Sequence, residues 1–516
     1  MKRFISVFMA AILTTLLISG CAGGKREYVD VDNNSYISEY TENVTTVYQE
    51  TKNEGLELYN RLFDLDNKIS VDIFMTTSEI GKLQSDFQNY TENDENKKSE
   101  TYRKADVTFT IGSDVYTIEE VGIRLKGNQT ISPLYSYDGA PNLCSFKLSF
   151  DETFDDEAVY STDVKEWASV AEKEARKKRT FASLDKLDIK WNINYDESNI
   201  REIYAAKLFE SADQLVQKIG LSQMKFNGNN YGLVKIYEPV DKKFLEKRLP
   251  KSALGGDLYK CMWSECDNTG NRTGKWRGVN YNPDNSYGIQ KNSEGIKFNF
   301  NLKTNKKTSK HESLIKFLDV INKQDITKEE LETVLDVDSY AGFMAAEYFA
   351  GDPDDMRNNF NNHYIYFRKD DGKAIFIVYD NDRTLGITYG LNKNCAVVDP
   401  YADTAVTMGE QLNPLIKSTV THNIPENLSY VRDKYTAALD KLSKTEMLTS
   451  DEDFNKMYNK AKANYEDIVE PYMQFANQRS SFAFSLDGDK NGGQNTNMSF
   501  EQFRSQIMET YKNSTP

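Results

Sequence analysis

The chain has 516 residues and a formal net charge of −15 at pH 7. This acidic balance argues against a nucleic-acid-binding protein, because that class relies on cationic side chains that neutralise phosphates. With 39% hydrophobic residues, the sequence is long enough for one large globular domain or two ordinary ones.

The N-terminus has the pattern of a bacterial secretory signal. Lys2 and Arg3 precede the apolar run Phe4–Leu17, and Ile18-Ser-Gly-Cys21 follows it. Because the run is shorter than the roughly 20 residues of a spanning helix, we interpret residues 1–20 as a signal peptide. The terminal cysteine is similar to a lipobox, so we expect Cys21 to carry a lipid that anchors the protein outside the cell membrane. A plain secretory signal with an incidental cysteine is the alternative.

The next part of the chain turns from a polar tether into a β-rich region. Residues 21–70 are polar and include a helical entry over Thr46–Phe63. Alternating patterns then predict strands, so we assign residues 71–250 to a β-rich N-lobe; the strands are expected at 106–111, 115–119, 120–126, 144–150, 184–190 and 231–238. The charged segment Asp151–Lys178 is expected to be an insertion with an exposed helix, and a further helix is expected over Asn199–Ala212.

The second half of the chain is mainly helical. Helices are expected at 242–247, 312–322, 328–335, 339–350, 428–442 and 453–477, and a strand hairpin is expected at 363–368 and 374–379. We assign residues 251–480 to a helical C-lobe and residues 481–516 to a linker with a short helix from Phe500. The fold class predicted from this order is α+β in two lobes.

The cysteines after Cys21 leave two interpretations open. Cys261 and Cys266 bracket a short loop that could close as a disulfide outside the cell, while Cys144 and Cys395 are far from them in sequence. Buried thiols are the alternative. Zinc is disfavoured, because the whole chain has only three histidines to add to these thiols.

Acidic and amide side chains crowd two stretches that flank the predicted hairpin. The first runs from Gly351 to Tyr366 and the second from Val378 to Gly386. Phosphoryl transfer needs a carboxylate that orients the attacking hydroxyl, an Asn and a carboxylate that hold Mg²⁺, and a Lys that neutralises phosphates. A solvated acidic loop or a structural Ca²⁺ site is the alternative.

Several stretches, in the same order along the chain, resemble the CotH family of extracytoplasmic, spore-coat-type kinases. They lie within Val107–Gly386 and comprise Gly122–Asn128, Phe146–Phe150, Asp196–Glu202, Tyr231–Leu245, Leu258–Lys260 and the acidic loop with Asp380-Asn-Asp382. The resemblance implies an altered protein-kinase fold that binds ATP with Mg²⁺ or Mn²⁺. It also implies phosphorylation of Ser or Thr on a secreted or surface protein.

The resemblance also suggests which residues bind metal and which act on the hydroxyl. Asp380 resembles the metal-binding Asp that ends the hairpin, and Asp382 supports it. For the catalytic carboxylate two pairings stay open. Asp354 has the ordinary kinase spacing to Asn359, whereas Asp355 pairs equally well with Asn362, which we favour as the metal ligand because it precedes the Tyr-bearing strand.

The predicted nucleotide-binding residues lie mostly in the β-rich lobe. Lys147 is the candidate phosphate-pairing lysine and Glu202 its ion-pair partner, with Glu238 as the alternative partner or as a residue near the adenine. The other candidates are Arg124, Lys126, Gly127, Asn128 and Lys260. Lys126 or Lys260 could replace Lys147, and the backbone of Gly127 and Asn128 could cover phosphates.

Two further functions remain as alternatives to an active kinase. The first is an inactive scaffold on the same fold that helps to assemble a spore coat or surface layer. The second is a carbohydrate-associated lipoprotein, in which aromatic residues of the 263–295 region stack on sugars. The sequence does not fix the oligomeric state.

Overall fold

The computed structural model divides the chain into two compact units, and each is described by itself. It describes residues 48–93, 99, 101–127, 131–261, 300–321, 323, 325–359, 362–387, 394–401, 426–468, 475–477, 484–488 and 497–516. The first unit contains residues 1–193, 220–238 and 461–483, and the second contains 194–219, 239–460 and 484–516. The predicted Cys21 lies outside the described residues.

A closed barrel forms the centre of the first unit. In the described part of the chain it contains β1 (Ile69–Phe74), β2 (Arg103–Ile111), β3 (Asp114–Lys126), β4 (Ser145–Ser149), β5 (Lys186–Trp191), β6 (Ile219–Phe226) and β7 (Asn229–Tyr237). The order around the barrel is β1-β2-β3-β4-β5-β7-β6, and β6 closes on β1 in parallel register. Strands β1 and β6 were not expected from the sequence.

The barrel core follows the alternation of apolar residues along the strands. Val71 and Ile73 of β1 and Val107, Phe109 and Ile111 of β2 are fully buried, while their chain neighbours are mostly less so. This period of two places one face of each strand toward the interior. The apolar pattern therefore accounts for which side of the barrel wall each residue occupies.

The two strands expected at 115–119 and 120–126 are one continuous strand, β3. Glu120 lies at the junction with φ of 46°, and the register with β2 shifts between Ala105 and Val107. Asp106 stabilises this irregularity, because its carboxylate accepts the Glu120 N–H at 2.9 Å. A β-bulge bends a strand without ending it, so the separation that we predicted was wrong.

The helices of the first unit are α1 (Lys52–Leu62), α2 (Thr77–Asn93), α3 (Glu157–Tyr160) and α4 (Val170–Arg176). Thr51 and Glu54 form a reciprocal capping box at the start of α1. None of the residues of α4 is buried, which confirms the exposed helix that was expected within 151–178.

The second unit combines helices with a small sheet and confirms the α+β class. Its helices are α5 (Arg201–Ser211), α6 (Lys242–Arg248), α7 (Glu312–Ile321), α8 (Lys328–Glu332), α9 (Val337–Ala350), α10 (Met356–Asn359), α11 (Ser429–Ser443), α12 (Glu446–Thr449) and α14 (Phe500–Asn513). Helix α13 (Glu452–Tyr465) spans the division at 460/461. The last of the predicted long helices was expected to reach Asn477, but it ends at Tyr465.

The sheet of the second unit has the order β11-β10-β8-β9, with β8 (Leu258–Cys261), β9 (Phe300–Leu302), β10 (His363–Phe367) and β11 (Ala374–Val378). The hairpin β10–β11 was predicted from the sequence. Gly256 lies just before β8, and a Cβ there would stand 1.7 Å from the carbonyl oxygen of Phe367, so only glycine allows this close approach.

Helix α9 is the central helix of the second unit. Almost all of its residues are buried, including Phe343, Met344 and Glu347. It ends at Gly351, whose φ of 64° places it in the left-handed region that closes many helices. Among the described residues, no helix is both long and apolar enough to cross a membrane.

Candidate functional site

The acidic loop predicted from the sequence follows α9 directly. Asp352 accepts the Asp354 N–H at 2.7 Å, and Asp355 accepts the Asn358 N–H at 2.6 Å at the start of α10. Asp352 and Asp355 are both buried, whereas Asp354 is only half-buried. The loop therefore uses two of its three carboxylates to hold its own backbone and leaves Asp354 nearer the surface.

The hairpin places Asn362 and Asp380 at the same end of the sheet. His363 pairs with Val378, and the Tyr379 N–H donates to the Asn362 carbonyl at 3.1 Å. Both Asn362 and Asp380 have left-handed backbones, with φ of 54° and 58°. Asn and Asp are the side chains that adopt this conformation at least cost, so the choice of residues fits the sharp turns here.

The Asn362 amide joins this hairpin end to the acidic loop. Its Nδ2 donates to the carbonyl oxygen of Asp354 at 3.0 Å and to the Asp354 carboxylate at 3.3 Å. Asp354 therefore contacts Asn362, while Asp355 caps α10. Which of the two carboxylates is catalytic stays a prediction. The side chain of Asn359 lies outside the described residues, so its predicted role stays a prediction.

The segment after Asp380 returns to the end of α9. The Arg383 N–H donates to Asp352 at 3.2 Å, and both Thr384 Oγ1 and the Leu385 N–H donate to the Ala350 carbonyl at 2.7 Å. Asp382 lies in the same segment, and its carbonyl accepts Asn194 Nδ2 at 3.3 Å. The acidic loop and the Asp380–Leu385 segment therefore form one hydrogen-bonded structure.

A buried ion pair contacts the Asp380–Leu385 segment. The Arg201 guanidinium donates to the Leu385 carbonyl at 2.7 Å and lies 3.2 Å from Asp196, and both charged side chains are about 1% exposed. Arg201 and Asp196 belong to a stretch that the family resemblance marked, but no catalytic or binding role was predicted for them. Their spacing places them just before and at the start of α5, where they fix the chain.

Two carboxyls are deeply buried here, Glu347 of α9 and Asp352 of the acidic loop. Glu347 accepts the Arg357 N–H at 3.0 Å, and burial raises its pKa well above the ordinary value, with Asp355 raising it further. Burial likewise raises the pKa of Asp352, and Asp355, Asp354 and Asp382 add to the effect. Crowded carboxyls of this kind resist ionisation together, which is a common property of functional sites.

The hairpin end carries oxygen donors that could take part in holding a magnesium ion together with a nucleotide. Within the described residues, no group of three or more His, Cys, Asp or Glu side chains is arranged to bind a metal by itself. Mg²⁺ needs only one or two carboxylates when phosphate oxygens and water complete its shell. The Asp380 carboxylate and the Asn362 amide oxygen could supply the protein's part, with Asp382 beside them.

Lys260 is the predicted lysine nearest to this hairpin end in the sheet. It pairs in register with Tyr364, and its Nζ lies 3.9 Å from the centre of the Tyr379 ring, one residue before Asp380. A cation is attracted to an aromatic face, so this contact helps to hold the Lys260 ammonium in position.

The predicted lysines of the barrel are engaged with a carboxylate that the sequence did not single out. Lys147 lies 3.0 Å and Lys126 3.1 Å from Asp188, which is almost fully buried. Burial would raise the pKa of Asp188, but the two ammonium groups outweigh it and hold that pKa well below its ordinary range. Glu202, the partner predicted for Lys147, belongs to the other unit, and that pairing stays a prediction.

The remaining barrel candidates have structural contacts. Glu238 is fully buried and accepts the Tyr59 hydroxyl at 2.8 Å. The Arg124 guanidinium lies 5.5 Å from the centre of the Tyr102 ring. Gly127 has φ of 142°, and Asn128 lies outside the described residues. Cys261 is buried, and its predicted disulfide partner Cys266 is also outside them.

Comparison with known proteins supports the family resemblance. A family profile described as CotH kinase protein matches residues 145–483, which is more than half of the chain. The match begins at β4, so the stretch 122–128 that we included in the resemblance lies outside it. A search of curated proteins finds no matching entry. The extent of the profile match shows that the chain belongs to the CotH kinase protein family.

Proposed function

We propose that this protein is an ATP-dependent kinase that works outside the cell membrane and phosphorylates Ser or Thr of secreted or surface proteins. In this proposal the barrel unit is the nucleotide-binding lobe of a two-lobed kinase fold, and the second unit is its catalytic lobe. The observation that supports the proposal most directly is the contact of Asn362 with Asp354 beside Asp380. Membership of a kinase family supports ATP and a divalent cation in general.

Each side chain of the hairpin end has a role in this proposal. Mg²⁺ or Mn²⁺ with ATP would supply the phosphoryl group and neutralise its charge. Asp354 would orient the substrate hydroxyl and accept its proton, because it is the half-buried carboxylate of the loop. Asn362 would fix the Asp354 carboxylate through Nδ2 and offer its amide oxygen to the cation, together with Asp380.

The test is incorporation of labelled phosphate from ATP by the purified protein. We expect Asp380→Ala and Asp354→Asn each to lower the rate at least ~100-fold, since each removes a group needed in the transition state. Asp370→Ala is the matched control, because Asp370 is an exposed carboxylate at the opposite end of the same hairpin. Label incorporation that survives the Asp380 substitution would contradict the assignment.

The same assay separates the candidate lysines. Lys147→Met and Lys260→Met test the barrel lysine and the sheet lysine individually. Substitution of the lysine that neutralises the phosphates should raise the KM for ATP.

The scaffold alternative has one observation in its favour. Asp188 already engages both Lys126 and Lys147, which leaves these barrel lysines with a structural role. If the purified protein binds no nucleotide with either Mg²⁺ or Mn²⁺, the scaffold function replaces the kinase.

We also propose that a lipid on Cys21 anchors the mature chain to the outer face of the bacterial cell membrane. The support is the signal pattern of residues 1–21. We expect cells that express Cys21→Ala to incorporate no labelled fatty acid into this protein, whereas Cys144→Ala should leave the labelling unchanged. Equal labelling of the Cys21→Ala protein would exclude this anchor.

A further inference from the structure

The Asp352 carboxylate bonds to both halves of the candidate site, the acidic loop and the segment after Asp380. One of its oxygens accepts the N–H of Asp354, at 2.7 Å, and the other accepts the N–H of Arg383, at 3.2 Å. The first partner is the proposed base itself, and the second lies three residues after Asp380. The side chain is about 1% exposed, so it has no direct access to a substrate in solvent.

Further hydrogen bonds hold the backbone around Asp352 in place. The Asn358 amide donates to the Asp352 carbonyl at 2.9 Å, which holds its backbone against α10. Thr384 and Leu385 bind the Ala350 carbonyl, two residues before Asp352. The end of α9 thus holds the Asp380–Leu385 segment at two neighbouring places, and at one of them the Asp352 side chain also reaches Asp354.

We propose that Asp352 is a positioning residue, which sets the distance between the Asp354 carboxylate and the segment that carries Asp380. A carboxylate is suited to this role because its two oxygens accept from two different N–H donors at once. Misplacement of a reacting group by about 1 Å can cost about 100-fold in rate, so a residue that touches no substrate can still control the chemical step. The inference rests on the kinase function proposed above.

The experiment compares Asp352→Ala and Asp352→Asn with the full-length protein. The alanine removes both hydrogen bonds, whereas the asparagine keeps one acceptor oxygen and loses the other. We expect kcat to fall about 100-fold for the alanine and less for the asparagine, while the KM for ATP stays within about twofold. This graded fall in kcat at constant KM is not expected from a general loss of folded protein.

Asp336→Ala is the matched control. Asp336 caps the opposite end of the same helix α9, where it accepts the Ser339 N–H at 3.1 Å. The Asp336→Ala substitution therefore removes a carboxylate–backbone bond of the same kind, together with an ion pair to Arg368, far along the helix from Asp354. We expect the control to lower the melting temperature without the fall in kcat. An Asp336→Ala protein that loses kcat as Asp352→Ala does would overturn the proposal.

Amide hydrogen exchange separates a failure of this inference from a failure of the kinase function. We expect Asp352→Ala to accelerate exchange at Asp354 and Arg383, and Asp336→Ala to leave both amides protected. If the wild type proves inactive but these amides respond as expected, the kinase function falls and the positioning contact stands. If both amides keep their protection in Asp352→Ala, the positioning role is excluded.

Discussion

At the residue scale, the Asn362 amide joins Asp354 to the hairpin end that leads into Asp380. Asp354, Asn362 and Asp380 were named from the order of acidic and amide residues around a hairpin, and the structure brings them to one end of it. The pairing of Asp354 with Asn362 was not predictable from spacing, because the short helix α10 folds the loop back. Glu347 was missed for a different reason: a single acid within an apolar helix gives no signal beyond its presence there.

Glu347 leads to a prediction about pH. Its pKa is raised in the folded protein, so the folded state retains a proton that the unfolded chain releases near its ordinary pKa. Its stabilising contribution is therefore complete below that ordinary value and is lost as the pH rises toward the folded-state pKa. We expect the free energy of unfolding of the wild type to fall relative to Glu347→Gln between pH 5 and pH 8.

Denaturant titrations of both proteins at the two pH values measure this difference. Glu347→Ala should be less stable than Glu347→Gln by about 1–3 kcal/mol, because it leaves the buried Arg357 N–H without its acceptor. Glu329→Gln, on the exposed surface of α8, serves as the control. Equal stability of the glutamine and alanine variants would contradict the contribution of the Arg357 N–H bond, and a wild type whose stability does not fall relative to Glu347→Gln would contradict the raised pKa of Glu347.

At the scale of elements, strands and helices with a clear period were predicted well, and those defined by long-range pairing were not. The hairpin β10–β11 and helix α9 were expected within a few residues of their bounds. Strands β1 and β6 were not, because each completes the barrel through a neighbour distant in sequence. The bulge at Glu120 was read as a strand end, since only tertiary contacts show that pairing continues beyond it.

The ion triad of Asp188 with Lys126 and Lys147 joins three adjacent strands, β3, β4 and β5. Removal of a buried partner leaves uncompensated charges, so we expect Asp188→Asn to lower the free energy of unfolding by about 3 kcal/mol at pH 7. Asp114→Asn is the matched control on the same barrel, because its pair with Arg61 is largely exposed and should contribute less than about 1 kcal/mol.

The contribution of Asp188 to the free energy of unfolding changes with pH in the opposite direction to that of Glu347. The depressed pKa of Asp188 stabilises the fold above the ordinary pKa of an aspartate, and this contribution is lost as the pH falls. The difference between wild type and Asp188→Asn, measured by urea denaturation, should therefore shrink below about pH 4. A difference that is constant from pH 7 to pH 3 would contradict the ionised triad.

At the scale of the whole molecule, the sequence predicted the α+β class but not a closed barrel. The family match leaves out β1, β2 and β3 at one end and the helix Phe500–Asn513 at the other. That helix nevertheless contacts the loops of the candidate site, since a Cβ on Gly351 would meet the Phe503 ring at 2.5 Å. Segments outside the family's shared region thus contribute to the surroundings of the site in this protein.

The pairing of β1 with β6, which closes the barrel, is supported by Tyr465, a residue that is synthesised much later than either strand. The Tyr465 hydroxyl accepts the Ile69 N–H at 2.9 Å and donates to the Leu221 carbonyl at 2.8 Å, and Asn464 donates to Leu65. Any N-terminal fragment that ends before residue 464 would lack the hydrogen bonds from Asn464 and Tyr465. Expression of the barrel alone therefore requires a fusion that restores the segment from 461 onward, and a nonsense mutation upstream of it would damage the first unit as well as the second.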